Sequence, residues 1–204
     1  AGEMCALVSD AGSPAISDPG EDLVRLCAEA EIPVSAIPGP CAAVSALSIS
    51  GLPTGRFCFE GFLSTNKKSR QEHLSGLAHE TSTMIFYEAP HKLTRTLADL
   101  SAAFGPDRRI SLCRELTKLH EQVVRTTLAQ ACALYAETPP RGEFVLIVEG
   151  AQPERQETLT LDDAVAMALD TIRAGASKKD AVRQISAETG VAKNILYDAV
   201  LHAE

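Results

Sequence analysis

Tryptophan is absent from the 204-residue sequence, and Phe and Tyr together make up only 4% of it. Packing must fall to Ala, Leu, Val and Ile within a 45% hydrophobic share, which suits an α/β protein better than an aromatic-rich β-sandwich. No apolar run is long enough to cross a bilayer and no secretory leader pattern is visible, so the sequence predicts a cytoplasmic protein with no membrane partner. Positive charge is in deficit: 19 Lys and Arg face 27 Asp and Glu, a formal net charge of −8. That argues against DNA, or any nucleic acid held by bulk charge, and leaves room for a local basic patch.

Signatures of several chemistries are missing too. The six cysteines, at 5, 27, 41, 58, 113 and 132, form no Cys-x-x-Cys pair and lie within apolar runs. They read as buried, reduced thiols rather than disulfides or metal ligands. The five His are scattered, none spaced for a metal with a second ligand. There is no Gly-rich phosphate loop ending in Lys-Ser or Lys-Thr, no Gly-x-Gly-x-x-Gly, no Gly-x-Ser-x-Gly and no His-Glu-x-x-His. With no metal expected, the chemistry is left to an organic cofactor or an activated group donor.

What is present is organised around one stretch near the start. Ala6, Leu7 and Val8 read as the end of a buried strand, and Ser9 to Gly20 as a Gly- and Pro-punctuated loop leading into a helix. Gly12 permits a tight turn or close approach of a ligand, and Pro14 stiffens the loop. Asp18 stands where an N-cap belongs, with Pro19 at the first helical position and Glu21 and Asp22 in the first turn. Loops at the carboxyl ends of strands are where open α/β sheets bind ligands, although an ordinary strand–loop–helix connection would look the same.

Strand and helix patterns then alternate. Strands are expected at 4–8, 32–37, 57–61, 83–87, 109–114 and 143–148, and helices at 21–29, 41–50, 91–103 and 128–136, with a partly helical stretch over 64–79. Leu23, Leu26 and Cys27 are expected on the inner face of the first helix. Gly51, Pro53 and Gly55 suggest an interdomain crossing, dividing 1–54 from 55–150. A polar linker at 151–160 precedes 161–204, where three helices with stops at Gly175 and Gly190 read as a small helix-turn-helix-like module. Its charges, five basic against seven acidic, fit a helical cap at least as well as a groove reader.

Four further stretches could carry chemistry. In Ile37-Pro38-Gly39-Pro40-Cys41-Ala42-Ala43, small residues at a helix start would let a flat ring approach and the helix terminus would favour a carboxylate, but close helix–sheet packing would use them too. Tyr87 in Phe86-Tyr87-Glu88-Ala89-Pro90-His91 can stack on a ring or simply fill the core. Arg114-Glu115-Leu116-Thr117-Lys118 places charge directly after a buried strand, as a cleft would require. Lys67, Lys68 and Arg70 read as cations on a mobile loop, solvated or in contact with phosphate.

Taken in order, these motifs, with Ser17-Asp18-Pro19-Gly20, Phe59-Glu60-Gly61-Phe62-Leu63, His120-Glu121 and Gly142-Glu143, resemble the tetrapyrrole-methylase superfamily. Within it they are most similar to the branch that methylates small-subunit ribosomal RNA. The resemblance covers about residues 3–150, and the three-helix tail resembles that branch's C-terminal domain. Ser64 stands where the branch usually has Pro. The branch's N-terminal portion has no counterpart here, so the resemblance implies an α/β, two-domain tetrapyrrole-methylase-like fold with its N-terminal domain truncated, followed by a three-helix module. On that view 1–54 is the remainder of the cofactor domain.

The resemblance further implies S-adenosylmethionine as cofactor and 2′-O-methylation of a cytidine ribose in small-subunit ribosomal RNA, or in the ribosomal subunit, by a homodimer. Asp10, Ala11, Gly12, Pro40, Ala42, Ala43, Tyr87, Leu116 and Gly142 would line the cofactor. The ribose 2′-hydroxyl must lose a proton, for which Glu88, Glu115 and Lys118 are candidates. Lys67, Lys68 and Arg70 are the expected RNA contacts. A methyltransferase of the same superfamily acting on a tetrapyrrole, and a non-catalytic RNA-binding or assembly fragment, are the alternatives.

Overall fold

The computed structural model describes residues 2–152 and 160–203. Backbone contacts divide the chain into two compact units, Ala1–Ala151 and Gln152–Glu204. The first is built on a five-stranded mixed sheet in the order β1-β2-β5-β3-β4. Its strands are β1 (Phe57–Phe62), β2 (Thr83–Glu88), β3 (Arg109–Arg114), β4 (Gln122–Thr127) and β5 (Phe144–Val148). β1 and β2 run parallel, whereas β5 lies antiparallel to both β2 and β3, and β3 pairs antiparallel with β4.

Both faces of the sheet are covered, which is why β2, β3 and β5 read as nearly continuous apolar runs. Residues of alternate parity feed two clusters. Met84, Phe86, Ile110, Leu112, Phe144, Leu146 and Val148 meet α3 (Lys67–Gly76), α4 (Pro90–Phe104) and α5 (Leu128–Glu137) on one face. Leu93, Leu97 and Leu100 of α4 are fully buried there, each worth about 1.5–3 kcal/mol of transfer free energy. Ile85, Cys113, Val145 and Ile147 meet α2 (Ala42–Ser50) on the other. Ala43 and Ala46 are small enough to bring the α2 backbone within reach of the sheet, where the Cys113 thiol points at the Ala46 carbonyl at 3.8 Å.

The N-terminal region departs from expectation. Neither 4–8 nor 32–37 forms a strand. A strand exists only where its amides find a ladder, and among the described residues these two segments have none; Met4, Val8, Ile32, Val34 and Ile37 stand exposed. The helix between them does form, as α1 (Glu21–Glu29), but buries no residue, so Leu23 and Leu26 are not on an inner face. Its N-cap is Gly20, at φ 132°, rather than Asp18. The loop before it turns through Ala15 and Ser17 at positive φ, which places Asp18 and Pro19 outside the first turn.

Elsewhere the differences are local. β4 was not expected, because Gln122-Val123-Val124-Arg125-Thr126-Thr127 is an edge strand of mixed polarity that follows β3 without an intervening helix. Lys67, Lys68 and Arg70 are not on a mobile loop: Asn66 caps α3 through the Lys68 and Ser69 amides, so all three are helical. Of the six cysteines, all free thiols, Cys113 is buried but Cys5 is exposed and the rest are half-buried.

The second unit contains α6 (Leu161–Arg173), α7 (Lys178–Thr189) and α8 (Lys193–His202), packed around Ala164, Ala168, Val182, Ile185, Leu196 and Val200. Thr160 and Asp163 form a capping box on α6, Ser177 caps α7, and Gly190 ends α7 in the left-handed region at φ 73°. Residues 153–159, most of the expected linker, lie outside the described residues.

Candidate functional site

Because β5 is antiparallel to its neighbours, the carboxyl ends of β1, β2 and β3 share one edge of the sheet with the start of β5. This edge collects Phe62, Tyr87, Glu115, Gly142 and Glu143. α2 starts there too: the Ala43 amide donates to the Tyr87 hydroxyl at 3.1 Å. Tyr87 is held edge-on by Phe59 and Phe62, with ring centroids 5.1 and 5.6 Å away. Burial, then the nearby Cys41 and Asp18, push its pKa up against the opposing effect of the Ala43 amide. A neutral phenol that already accepts a bond has its own O–H left to donate.

The two N-terminal loops meet at the same place. Pro40 precedes α2, and its carbonyl accepts the Ser13 amide at 3.0 Å. Gly12 has φ 80°, and a Cβ there would stand 2.9 Å from that carbonyl oxygen. Glycine is required on both counts. Ser9 Oγ donates to the Gly12 carbonyl at 3.0 Å, shaping the turn that presents Asp10 and Ala11 to solvent. Ser17 approaches Gly61 of β1, near the Phe59 ring.

Leu116 completes the ring by packing with Cys41, Ala43 and Tyr87 against the α2-side core. Its position is set by a clamp. Glu115 Oε1 accepts the Glu143 amide at 2.8 Å and Lys118 Nζ at 3.0 Å, and Lys118 also reaches Glu143 Oε2 at 2.8 Å. Gly142 is needed because a Cβ there would collide with the Glu115 side chain. The Glu143 amide first, then Lys118, hold the Glu115 carboxyl below the ordinary carboxylate range. Hydrogen bonds to Glu143 and then Glu115 push Lys118 up, so it is an ammonium at neutral pH.

Several of the sequence-derived cofactor residues are linked in space: Gly12 lies against Pro40, Ala43 is bonded to Tyr87, Leu116 packs against the same α2-side core, and Gly142 lies under Glu115. The other candidates are placed differently. Glu88 is buried on the opposite face, accepting Thr96 Oγ1 at 2.5 Å and the Ala89 amide at 2.8 Å. Arg70 is only 4% exposed; it pairs with Asp99 at 2.6 Å and donates to the Ser64 and Thr65 carbonyls. Lys67 and Lys68 are exposed at the start of α3. Phe59, Phe62 and Glu143 stand in the motifs of the sequence but were given no site role there; in the structure Phe62 pairs directly with Tyr87 on the neighbouring parallel strand, and Phe59 pairs with Ile85.

A separate groove of about 330 Å³ lies at the opposite edge, between Ser50, Leu52, Arg109 and Arg125. Arg125 there donates to the Ile49 and Ser50 carbonyls at the end of α2. Among the described residues no cluster of His, Cys, Asp and Glu could hold a metal ion, and no helix is long and apolar enough to cross a membrane.

A family profile described as Tetrapyrrole (Corrin/Porphyrin) Methylases matches residues 1–132. The chain is 46% identical over 204 residues to ribosomal RNA small subunit methyltransferase I of Synechocystis sp., covering all of this chain and 73% of that protein. It is 43% identical to the protein of the same name from Escherichia coli O157:H7, covering 71% of it, and 41% identical to that from Mycobacterium tuberculosis, covering 70%. Among solved structures, the methyltransferase CobJ superposes with a TM-score of 0.53 at 23% identity, over 71% of this chain and 64% of that one, a likeness of fold.

Proposed function

This chain belongs to the tetrapyrrole methylase family, and we propose that it carries out S-adenosylmethionine-dependent 2′-O-methylation of a cytidine ribose in small-subunit ribosomal RNA. The observation that carries this reading is the extent of the likeness. The family profile ends at residue 132, whereas the ribosomal RNA methyltransferases match through the helical unit as well. A tetrapyrrole substrate would leave that unit without a use.

The chain's residues suit the cofactor. Gly12 and Pro40 form a turn with no room for a side chain at Gly12, the exposed Ala42 leaves the start of α2 open to a flat ring while Ala43 packs onto the sheet behind it, and Leu116 would add an apolar wall. The positive end of α2 and the Tyr87 O–H would take the cofactor's carboxylate. Bound S-adenosylmethionine supplies an electrophilic methyl group on a sulfonium. The protein's task is then to hold the ribose oxygen in line and to take up its proton. Of the three ionisable groups considered, Glu88 is engaged by Thr96 and Lys118 is already protonated. We assign the proton to Glu115 Oε2, the oxygen of that carboxylate outside the clamp. Lys67 and Lys68 contact the RNA backbone, and two copies of the chain form the working unit.

Calorimetry with S-adenosylmethionine, combined with methyl transfer to small ribosomal subunits and mapping of the methylated nucleotide, tests the reading. Ribose methylation of one cytidine supports it. Cofactor binding with transfer to a tetrapyrrole and none to RNA overturns it.

A further inference from the structure

Nearly every polar group on the β3–β4 connection serves to hold that connection in one shape. Arg114 Nε donates to the Arg141 carbonyl, and the Glu115 amide to the Glu143 carbonyl at 3.0 Å. Lys118 bridges Glu115 and Glu143, and Glu121 accepts the Thr117 amide at 2.6 Å. Backbone bonds run from Lys118 to Glu115 and from Glu121 to Lys118. Glu115 and Thr117 sit at φ 51° and 63°. L-residues rarely adopt this conformation; where they do, the surroundings impose it, and such residues gather at functional loops.

Two side chains take no part. Leu119 is 94% exposed, His120 is exposed, and neither has a hydrogen bond, ion pair or ring contact among the described residues. They follow Leu116, which packs against the same α2-side core as Ala43 and Tyr87, by three and four residues. Chain geometry keeps their Cα atoms within about 11 and 14 Å of the Leu116 Cα. A stiffened loop thus displays one aliphatic side chain and one imidazole at the rim of the cofactor site. That pair is far too small for a protein interface, which needs on the order of 1,000 Å². It matches a single nucleobase: His is a stacking platform for splayed RNA bases, and Leu is among the apolar wedges that replace a base in a stack.

We propose that the Leu119–His120 tip receives the unstacked base of the nucleotide to be methylated, His120 lying on its face and Leu119 filling the place it vacates. The contact would hold that nucleotide's ribose at the rim of the cleft. It rests on the reading of an RNA substrate given above. The test is filter binding of the full chain to small-subunit ribosomal RNA over a salt series, with S-adenosylhomocysteine calorimetry on each variant. Leu119→Ala with His120→Ala should weaken RNA binding about tenfold, while His120→Phe stays within about twofold of wild type. The slope of log Kd against log salt and the S-adenosylhomocysteine affinity should not change, since no phosphate contact is lost and the clamp is intact. A double variant that binds RNA like wild type overturns the proposal, as does a weakening that comes with a shallower salt slope or with lost S-adenosylhomocysteine affinity. A wild-type chain with no affinity for the RNA overturns the underlying function as well.

Discussion

The Tyr87 hydroxyl accepts a hydrogen bond from the Ala43 amide at 3.1 Å, joining the carboxyl end of β2 to the first turn of α2. Removing only that oxygen separates the hydroxyl from the ring. Tyr87→Phe keeps the packing against Phe59 and Phe62 but leaves the Ala43 amide unpaired in a half-buried place. Thermal denaturation should report a loss of about 1 kcal/mol. Calorimetry should report S-adenosylmethionine affinity lower by about fivefold, on the order of 1 kcal/mol. Unchanged affinity would remove Tyr87 from the proposed cofactor site.

Glu115 is tested by the isosteric Glu115→Gln, which keeps an oxygen for the Glu143 amide. The single-turnover rate should fall about 100-fold while cofactor affinity stays near wild type. A base must be ionised to act, and this carboxyl is held below its ordinary range. Wild-type activity should therefore stay level as pH falls from neutral to about 5 and drop only below the usual carboxylate value of about 4.3. A wild-type rate that halves near neutral pH would assign the proton to another group.

The clamp has its own pH window. Glu115 is depressed, so its contribution to stability is present above the unfolded value of about 4.3 and is lost as pH falls through its lower native value. Lys118 is raised, so its contribution is present below about 10.4 and is lost as pH rises through its higher native value. Hydrogen-exchange protection of the Thr117 and Lys118 amides should be flat between about pH 5 and 10. A step within that window would contradict the assignment.

Lys67, Lys68 and Arg70 should separate cleanly. Lys67→Ala with Lys68→Ala should leave the melting temperature unchanged and reduce the salt slope of RNA binding by about 1.5. Arg70→Ala should instead cost about 2 kcal/mol, because it removes the closer of Asp99's two cationic partners, leaving Arg95 at 4.0 Å, and releases the Ser64 and Thr65 carbonyls. A stable Arg70→Ala variant with a reduced slope would return Arg70 to the RNA surface.

Some of this was legible in the sequence for identifiable reasons. β2, β3 and β5 are short apolar runs buried on both faces, and α4 starts at a proline after a strand end. The turn at Gly12 was legible because a tight turn and a close backbone approach demand a residue without a side chain, and the structure has both there, with φ 80° and the Pro40 carbonyl against it; Gly142 came only through the family resemblance. Strands at 4–8 and 32–37 were not, since apolar pattern announces a preference and a ladder needs a neighbour. β4 was hidden by the polarity of an edge position. Arg70 was misread because charge is visible in sequence, whereas a carboxylate 29 residues away is not.

The strand order has a consequence for how the molecule is made. Among the described residues β1–β2 and β3–β4 are joined only through β5, the central strand and the last described in chain order. During synthesis each pair must wait with one long apolar edge unpaired until residues 144–148 arrive, a state open to edge-to-edge association. The same late strand brings Gly142 and Glu143 to the clamp, so closing the sheet and finishing the site are a single event in folding.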